Sequence, residues 1–463
     1  MEKASANNVE HHEKKRNSFS SKMGYVLSVA GSAVGLGNIW RFPYLAAKYG
    51  GGVFLLVYLI LMITFGYALI ISETTIGRMT KKSPVGAFQT FGKGFSFKFG
   101  GWINAIIPML IAPYYCVIGG WVTKYLFEYI KLNSNPLARD EYFTSFITNG
   151  ASVELWFIVF SVIVVFIIIL GVNKGVERVS KITMPLLVIL AIFVTIYSIT
   201  RPGAMEGVKY FLIPDFSKFS FMTVVAAMGQ MFYSLSIAMG ILYTYGSYID
   251  KDVDIEKSTS QIEIFDTAIA ILAGLMIIPA VFAFSPGETT LQAGPSLMFI
   301  TLPKVFASMG FGSIAGIIFF LLVFVAAITS AISLAETSAS TFEDQFGWSR
   351  IKSSIVIGII MIVLGSASAL GFSSLDFISI LGMGILDFFD FLTNSIMMPI
   401  AAIATLILIV RVIGLDTIAK EVEYSSKFKR KKLYNFFIKY LDAICLIIIL
   451  LSSIANVFGW INL

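Results

Sequence analysis

The chain has 463 residues, of which 57% are hydrophobic and 13% charged, with a formal net charge of +6. A soluble globular chain carries nearer a quarter charged residues, so this composition excludes an ordinary water-soluble domain and points to lipid as the solvent. The positive residues fall between apolar runs, which argues against nucleic acid as a partner, and the two His (His11, His12) and two Cys (Cys116, Cys445) support neither a zinc cluster nor a disulfide framework.

A membrane helix needs roughly 20 mainly apolar residues. The tail, 1–22, lacks the short apolar core and small-residue cleavage site of a signal peptide, so the first apolar run is expected to stay in the mature chain. Eleven apolar segments follow, near 24–46, 52–77, 101–129, 153–171, 178–199, 220–247, 262–285, 308–340, 353–371, 382–411 and 435–460. The first is interrupted by Gly31-Ser32-Ala33-Val34-Gly35-Leu36-Gly37-Asn38 and the sixth by Ser234-Leu235-Ser236-Ile237-Ala238-Met239-Gly240. If the first ten form two halves of five, these breaks occupy corresponding positions, the pattern of an inverted-repeat transporter with a midplane site. The halves are then 23–200 and 201–412, followed by a basic loop at 413–434 and an eleventh helix at 435–463. Lys and Arg concentrate in alternate loops: Lys14, Lys15, Arg16 and Lys22, then Arg78, Lys81 and Lys82, then Lys174, Arg178 and Lys181, then Lys427 to Lys432. That bias places the N-terminus in the cytoplasm.

A broken helix frees carbonyls that coordinate a cation and leaves a half-helix N-terminus suited to a carboxylate. Gly31 and Gly35 alone also read as a small-residue packing face, but Asn38 and Arg41 beside them are not needed for packing. Glu73, Asp266, Thr329, Ser330 and Asp390 lie inside apolar segments, where polar groups are costly. Plainer roles stay open: Glu73 capping freed backbone, Thr329 and Ser330 bonding their own helix carbonyls, Asp266 at the interface, Tyr114 and Tyr115 as packing or belt aromatics. The absence of a symmetric ring of charge argues against a channel; with no His cluster or acid–base pair, no catalytic residue is expected and the chain is not read as an enzyme.

The run from Gly31 through Asn38-Ile39-Trp40-Arg41-Phe42-Pro43, with Gly50-Gly51-Gly52 after it, closely resembles the first-helix signature of the neurotransmitter:sodium symporters. Gly229-Gln230-Met231-Phe232-Tyr233-Ser234-Leu235-Ser236 resembles their sixth-helix signature, and Lys174-Gly175-Val176-Glu177-Arg178 and Ala326-Ala327-Ile328-Thr329-Ser330 match as well. The likeness covers nearly the whole chain and is nearest to bacterial eleven-helix amino-acid transporters, among them a tyrosine transporter. It implies an all-α polytopic membrane protein with a leucine-transporter-like 5+5 inverted repeat, discontinuous helices 1 and 6, and one extra helix, in the bacterial inner membrane.

The resemblance implies two sodium ions as cofactors. The first site would use Ala33, Asn38, Ser234 and Asp266 with the substrate carboxylate; the second, the carbonyls of Gly31, Val34 and Ala326 and the hydroxyls of Thr329 and Ser330. The amino-acid pocket carries over onto Ser32, Ala33, Leu36, Gly37, Ile111, Tyr115, Tyr233, Ser234, Ser236, Met239, Ser330 and Leu334, with Tyr115 on the carboxylate and Tyr233 as lid. Arg41 and Asp390 look like the outer gate, Arg16 and Asp344 like the cytoplasmic one, with Phe19 where relatives usually carry Trp. Three departures narrow the expectation. Gly35 stands where monoamine transporters carry Asp, which implies a substrate with its own carboxylate. Met239 replaces a Phe, which implies a floor suited to a larger, aromatic side chain over a small aliphatic one. Asp266 stands where many relatives have Asn and supplies the charge that others take from chloride, which implies chloride independence.

Overall fold

The structure is a computed structural model and describes residues 18–132, 134–284, 294–308, 310–457 and 460. Nine continuous helices among these residues are long and apolar enough to cross a membrane: Gly52–Thr80, Phe95–Ile130, Gly150–Ile169, Val172–Ile199, Ile255–Phe284, Gly312–Phe346, Arg350–Leu370, Ile385–Ile413 and Lys431–Asn456. They are the second to fifth and seventh to eleventh of the eleven expected spans. The first and sixth are absent from this set because each is built in two pieces: Lys22–Ala33 with Gly37–Arg41 and Phe42–Lys48, and Phe221–Ser234 with Ile241–Ser247. We number the spans α1 to α11 in this order, the broken ones having halves α1a/α1b and α6a/α6b. Among the described residues no β-strand forms; only two isolated bridges, Gly51 with Pro214 and Ile380 with Met383, are present.

The most apolar stretch of α3 is 89% buried and that of α8 78%, whereas the corresponding share is 33% in α5 and 22% in α11. The molecule thus has a protein-lined centre and a rim of helices that turn Ile, Val and Phe outward, such as Val162, Phe166, Ile189, Phe193 and Val363. An outward apolar face is favourable only where the surroundings are themselves apolar, so the rim faces lipid. The halves α1a and α6b sit in the centre: α1a packs on α5, α7 and α8, and α6b packs on α2 and α8. Glycines set the closeness of this packing. A Cβ on Gly77 of α2 would lie 2.1 Å from the Tyr243 carbonyl oxygen of α6b.

Both breaks are narrower than the sequence suggests. Gly31, Ser32 and Ala33 remain helical, because the amide of Val34 still donates to the Ala30 carbonyl at 2.7 Å. Small residues permit unwinding without forcing it. The chain leaves the helix at Val34, which is extended (φ −78°, ψ 92°), and resumes by a π-turn from Gly37. In the sixth span Ser234 is still helical and the break runs through Leu235 to Gly240. There Ser236, Ala238 and Gly240 have φ of 55°, 59° and 70°. Left-handed backbone costs a non-glycine residue about 1–2 kcal/mol, so Ser236 and Ala238 must be held by other contacts. Ser236 Oγ donates to the Ser32 carbonyl at 3.1 Å, and the Ala238 amide donates to Glu73 Oε1 at 2.9 Å.

One expected loop charge is not in a loop. Arg78 lies at the end of α2, fully buried, donating to Glu421 at 2.9 Å and to the Val253 carbonyl at 2.7 Å. A buried guanidinium needs such partners. It ties α2 to the segment before α7 and to the short helix Leu415–Glu423 after α10.

Candidate functional site

The two breaks face each other across one small cavity of about 30 Å³. It is lined by all twelve residues expected of a substrate pocket: Ser32, Ala33, Leu36 and Gly37 from the first break, Ile111 and Tyr115 from α3, Tyr233, Ser234, Ser236 and Met239 from the sixth, and Ser330 and Leu334 from α8. Gly35, Asn38 and Ile241 line it too. The lining is apolar with a few convergent hydroxyls and backbone groups, the composition of a small-molecule site. Ser32 Oγ and Ser236 Oγ lie 3.0 Å apart, joining the two breaks. Tyr115 is not a belt aromatic, since its hydroxyl accepts from the Leu36 amide at 3.2 Å. Gly35 is closely overlain: a Cβ there would sit 2.6 Å from Ser330 Oγ and 2.8 Å from the Tyr115 hydroxyl. The glycines of the first break are therefore both packing contacts and cavity wall.

Behind the cavity, Asp266 is fully buried in α7, not interfacial. Its Oδ1 accepts from Asn38 Nδ2 at 2.8 Å and from Ser234 Oγ at 2.6 Å, and its Oδ2 accepts from the Tyr58 hydroxyl at 2.6 Å. Asn38 Oδ1 accepts from the Gly35 amide at 3.3 Å. Three of the four residues expected at a first sodium site are thus directly bonded together, and Ala33 lines the same cavity as Asn38 and Ser234. Tyr58 was not foreseen: a lone Tyr in the run from Gly52 to Leu61 reads locally as packing, and no nearby residue signals its partner 208 positions away.

The second expected set gathers between α1a and α8. Thr329 Oγ1 donates to the Val325 and Ala326 carbonyls, each at 3.1 Å, and Ser330 Oγ donates to the carbonyls of Gly31 at 3.3 Å and Ser32 at 3.1 Å. Thr329 therefore bonds within its own helix, as the plainer reading held, while Ser330 reaches across to the end of α1a, where helix carbonyls lack intrahelical partners. Val34 is the cap residue of that end. Both sets consist of hard oxygen donors with little nitrogen and no sulfur, a composition that fits a hard monovalent or divalent cation. Among the described residues no group of three or more His, Cys, Asp and Glu is placed to hold a metal ion.

A vestibule of about 450 Å³ lies next to the cavity, and Leu36, Tyr115 and Tyr233 line both. Arg41 and Asp390 line the vestibule without pairing. The Arg41 guanidinium instead lies 5.4 Å from the Tyr233 ring centroid. Asp390 Oδ1 accepts from Asn394 Nδ2 at 2.6 Å and from the Tyr114 hydroxyl at 3.2 Å, so Tyr114 too has a polar partner. On the opposite face the ring of Phe19 is buried among Tyr25, Tyr245 and Tyr248, with centroids 5.7, 5.5 and 6.0 Å away. Asp344 accepts from the Ser83 amide at 2.6 Å; its expected partner Arg16 lies outside the described residues.

The sodium:neurotransmitter symporter family matches this chain over residues 16–142 and 140–459. An uncharacterized sodium-dependent transporter of Haemophilus influenzae is 33% identical over 457 residues, covering 96% of this chain and 99% of that one. A similar transporter of Bacillus subtilis is 32% identical over 449 residues, covering 96% and 98%. Among solved structures, the crystal structure of MhsT in complex with L-phenylalanine is 37% identical and superposes with a TM-score of 0.86, covering 95% of this chain and 100% of that one.

Proposed function

The chain belongs to the sodium:neurotransmitter symporter family, a family of sodium-dependent transporters, and from that premise we propose that it takes up an aromatic, tyrosine-like amino acid with sodium ions, independently of chloride, by alternating access. The observation that carries this reading is the cavity between the two broken helices, walled by Ser234, which also bonds Asp266. A substrate in that cavity and a cation at Asp266 would share one hydroxyl and one short stretch of backbone, which couples their binding.

The substrate class follows from Gly35. A Cβ there would press on Ser330 Oγ and the Tyr115 hydroxyl; with glycine at this position the wall carries no carboxylate, and the substrate brings its own. Its carboxylate would meet the Tyr115 hydroxyl and the backbone of the first break. Met239 on the floor favours a wide side chain, and MhsT, the structural relative, was crystallised with L-phenylalanine. Asp266 supplies fixed negative charge, which is the basis for chloride independence. The reading places the chain in the bacterial inner membrane with its N-terminus cytoplasmic, and divides it into repeats at 23–200 and 201–412.

The test is uptake of labelled tyrosine by the full chain in liposomes under an inward sodium gradient, with unlabelled amino acids as competitors and gluconate in place of chloride. Sodium-dependent uptake, unchanged in gluconate and blocked by tyrosine, phenylalanine or tryptophan, is expected. Competition chiefly by leucine or alanine would overturn the aromatic assignment alone. Loss of uptake in gluconate would overturn chloride independence. No sodium-dependent signal from folded protein would overturn the transport reading.

A further inference from the structure

The motif Lys174-Gly175-Val176-Glu177-Arg178 has no part in the cavity or in either cation set, yet it carries a nearly buried carboxylate, 1% exposed. Glu177 reaches from the start of α5 to the chain just ahead of α1a. Its Oε2 accepts from the Ser20 amide at 2.7 Å, and its Oε1 accepts from Ser20 Oγ at 2.6 Å and from Ser21 Oγ at 3.1 Å. Lys181, one turn on, pairs with Oε1 at 2.7 Å and donates to Ser20 Oγ at 3.3 Å. Gly24 completes the seat: a Cβ there would fall 1.9 Å from Glu177 Oε1, so only glycine lets the carboxylate lie against α1a.

What these bonds hold is the residue next to Ser20. Phe19 fills the ring of Tyr25, Tyr245 and Tyr248, and its amide donates to the Tyr248 carbonyl at 3.2 Å. Phe19 shuts the face opposite the vestibule, and the described residues that carry it, 18–20, are not helical. Aromatic packing alone would leave that segment to pivot about Ser21. Three hydrogen bonds to an ionised carboxylate remove that freedom, and bonds of this kind are roughly twice as strong as neutral ones.

We propose that Glu177 is a positioning residue of the transport cycle, a latch on α5 that holds the Phe19 plug shut while the vestibule is open and must release Ser20 and Ser21 for the opposite face to open. The proposal rests on the transport reading for its place in a cycle, but its test reads opening directly. Ser28 provides the reporter. It is buried in α1a, its hydroxyl has no hydrogen-bond partner, and it lies one turn before Ser32 on the same helix face, between plug and cavity.

In a full-length background with Cys116→Ser and Cys445→Ser, Ser28→Cys is labelled by a membrane-impermeant maleimide from the Phe19 face, in sodium. Glu177→Ala is expected to raise the labelling rate about ten-fold, the scale of losing a hydrogen bond to a charged group. Glu177→Gln, which keeps an acceptor for the Ser20 amide, should fall between it and the parent. Should Glu177→Ala fold poorly, the double change Ser20→Ala with Ser21→Ala removes two donors at exposed positions and should still raise labelling several-fold. Unchanged labelling in both Glu177→Ala and the double variant, each folded, would overturn the latch. Faster labelling with no sodium-driven uptake in the parent would keep the latch and sink the transport reading instead.

Discussion

Asp266 accepts three hydrogen bonds at full burial, two of them on one oxygen. Bonds to a charged group contribute about 1.5–3 kcal/mol each, and removing a carboxylate from water costs several kcal/mol even after relaxation. Asn38, Ser234 and Tyr58 thus offset much of the cost but supply no countercharge. A sodium ion bound where Asn38 and Ser234 already converge would do so. Asp266→Asn keeps the size and one acceptor oxygen while losing the charge. It is expected to raise the sodium concentration for half-maximal uptake about ten-fold or more, the range seen when groups supporting a metal ligand are changed, and to make uptake respond to chloride. Sodium titrations in chloride and in gluconate measure both. A half-maximal concentration equal to the parent's in gluconate would remove Asp266 from the cation site.

At the scale of elements, the sixth break is the feature with most to hold in place. Ser236 and Ala238 sit in left-handed backbone, and the second of them is held by Glu73. Glu73 therefore does act as a cap, as one reading of the sequence has it. Glu73→Ala leaves the buried Ala238 amide without its acceptor and is expected to cost about 1–3 kcal/mol of stability together with a fall in substrate affinity. Glu73→Gln keeps a carbonyl acceptor and should stay close to the parent. Melting temperature in detergent and tyrosine binding separate the two. If Gln is as damaging as Ala, the charge of Glu73 has a role beyond the cap. The breaks were legible because Gly31, Gly35, Gly37 and Gly240 interrupt otherwise continuous apolar runs, and the pocket residues followed from the resemblance that those runs carry. The widths of the breaks were not legible, because a Gly-Ser-Ala stretch is compatible with helix, and whether it unwinds depends on neighbours that make or withhold hydrogen bonds. The partnerships of Tyr58 with Asp266, Arg78 with Glu421 and Glu177 with Ser20 were not legible either. Each joins residues 157 or more positions apart. Their local sequences look like packing, a loop charge and a motif without an assigned role.

For the molecule as a whole, the two faces are in unlike states. On one, a vestibule reaches down to Tyr115 and Tyr233, with Arg41 resting near the Tyr233 ring and Asp390 engaged by Tyr114 and Asn394. On the other, Phe19 is seated among three tyrosines. A carrier that opens to one face at a time must trade these arrangements, and substrate shifts the balance only by binding one state better than the other. Closure over a bound amino acid would draw Tyr233 down and free Arg41 to approach Asp390. Ser395 lines the vestibule and belongs neither to the cavity nor to the Arg41 and Asp390 charges, so it reports on that closure without taking part in it. In the background lacking both native cysteines, Ser395→Cys is expected to react readily with an impermeant maleimide from the vestibule face in sodium alone. Sodium with saturating tyrosine should slow the reaction about ten-fold, as expected if ligand shifts the equilibrium by roughly 1.4 kcal/mol toward the closed vestibule. Tyrosine without sodium should leave the rate unchanged, because a cation at Asp266 and a substrate in the cavity would share Ser234 and neither would then fill well alone. Protection by tyrosine in the absence of sodium would mean that the amino acid closes the vestibule by itself, and the coupling would then have to lie in the step that opens the Phe19 face.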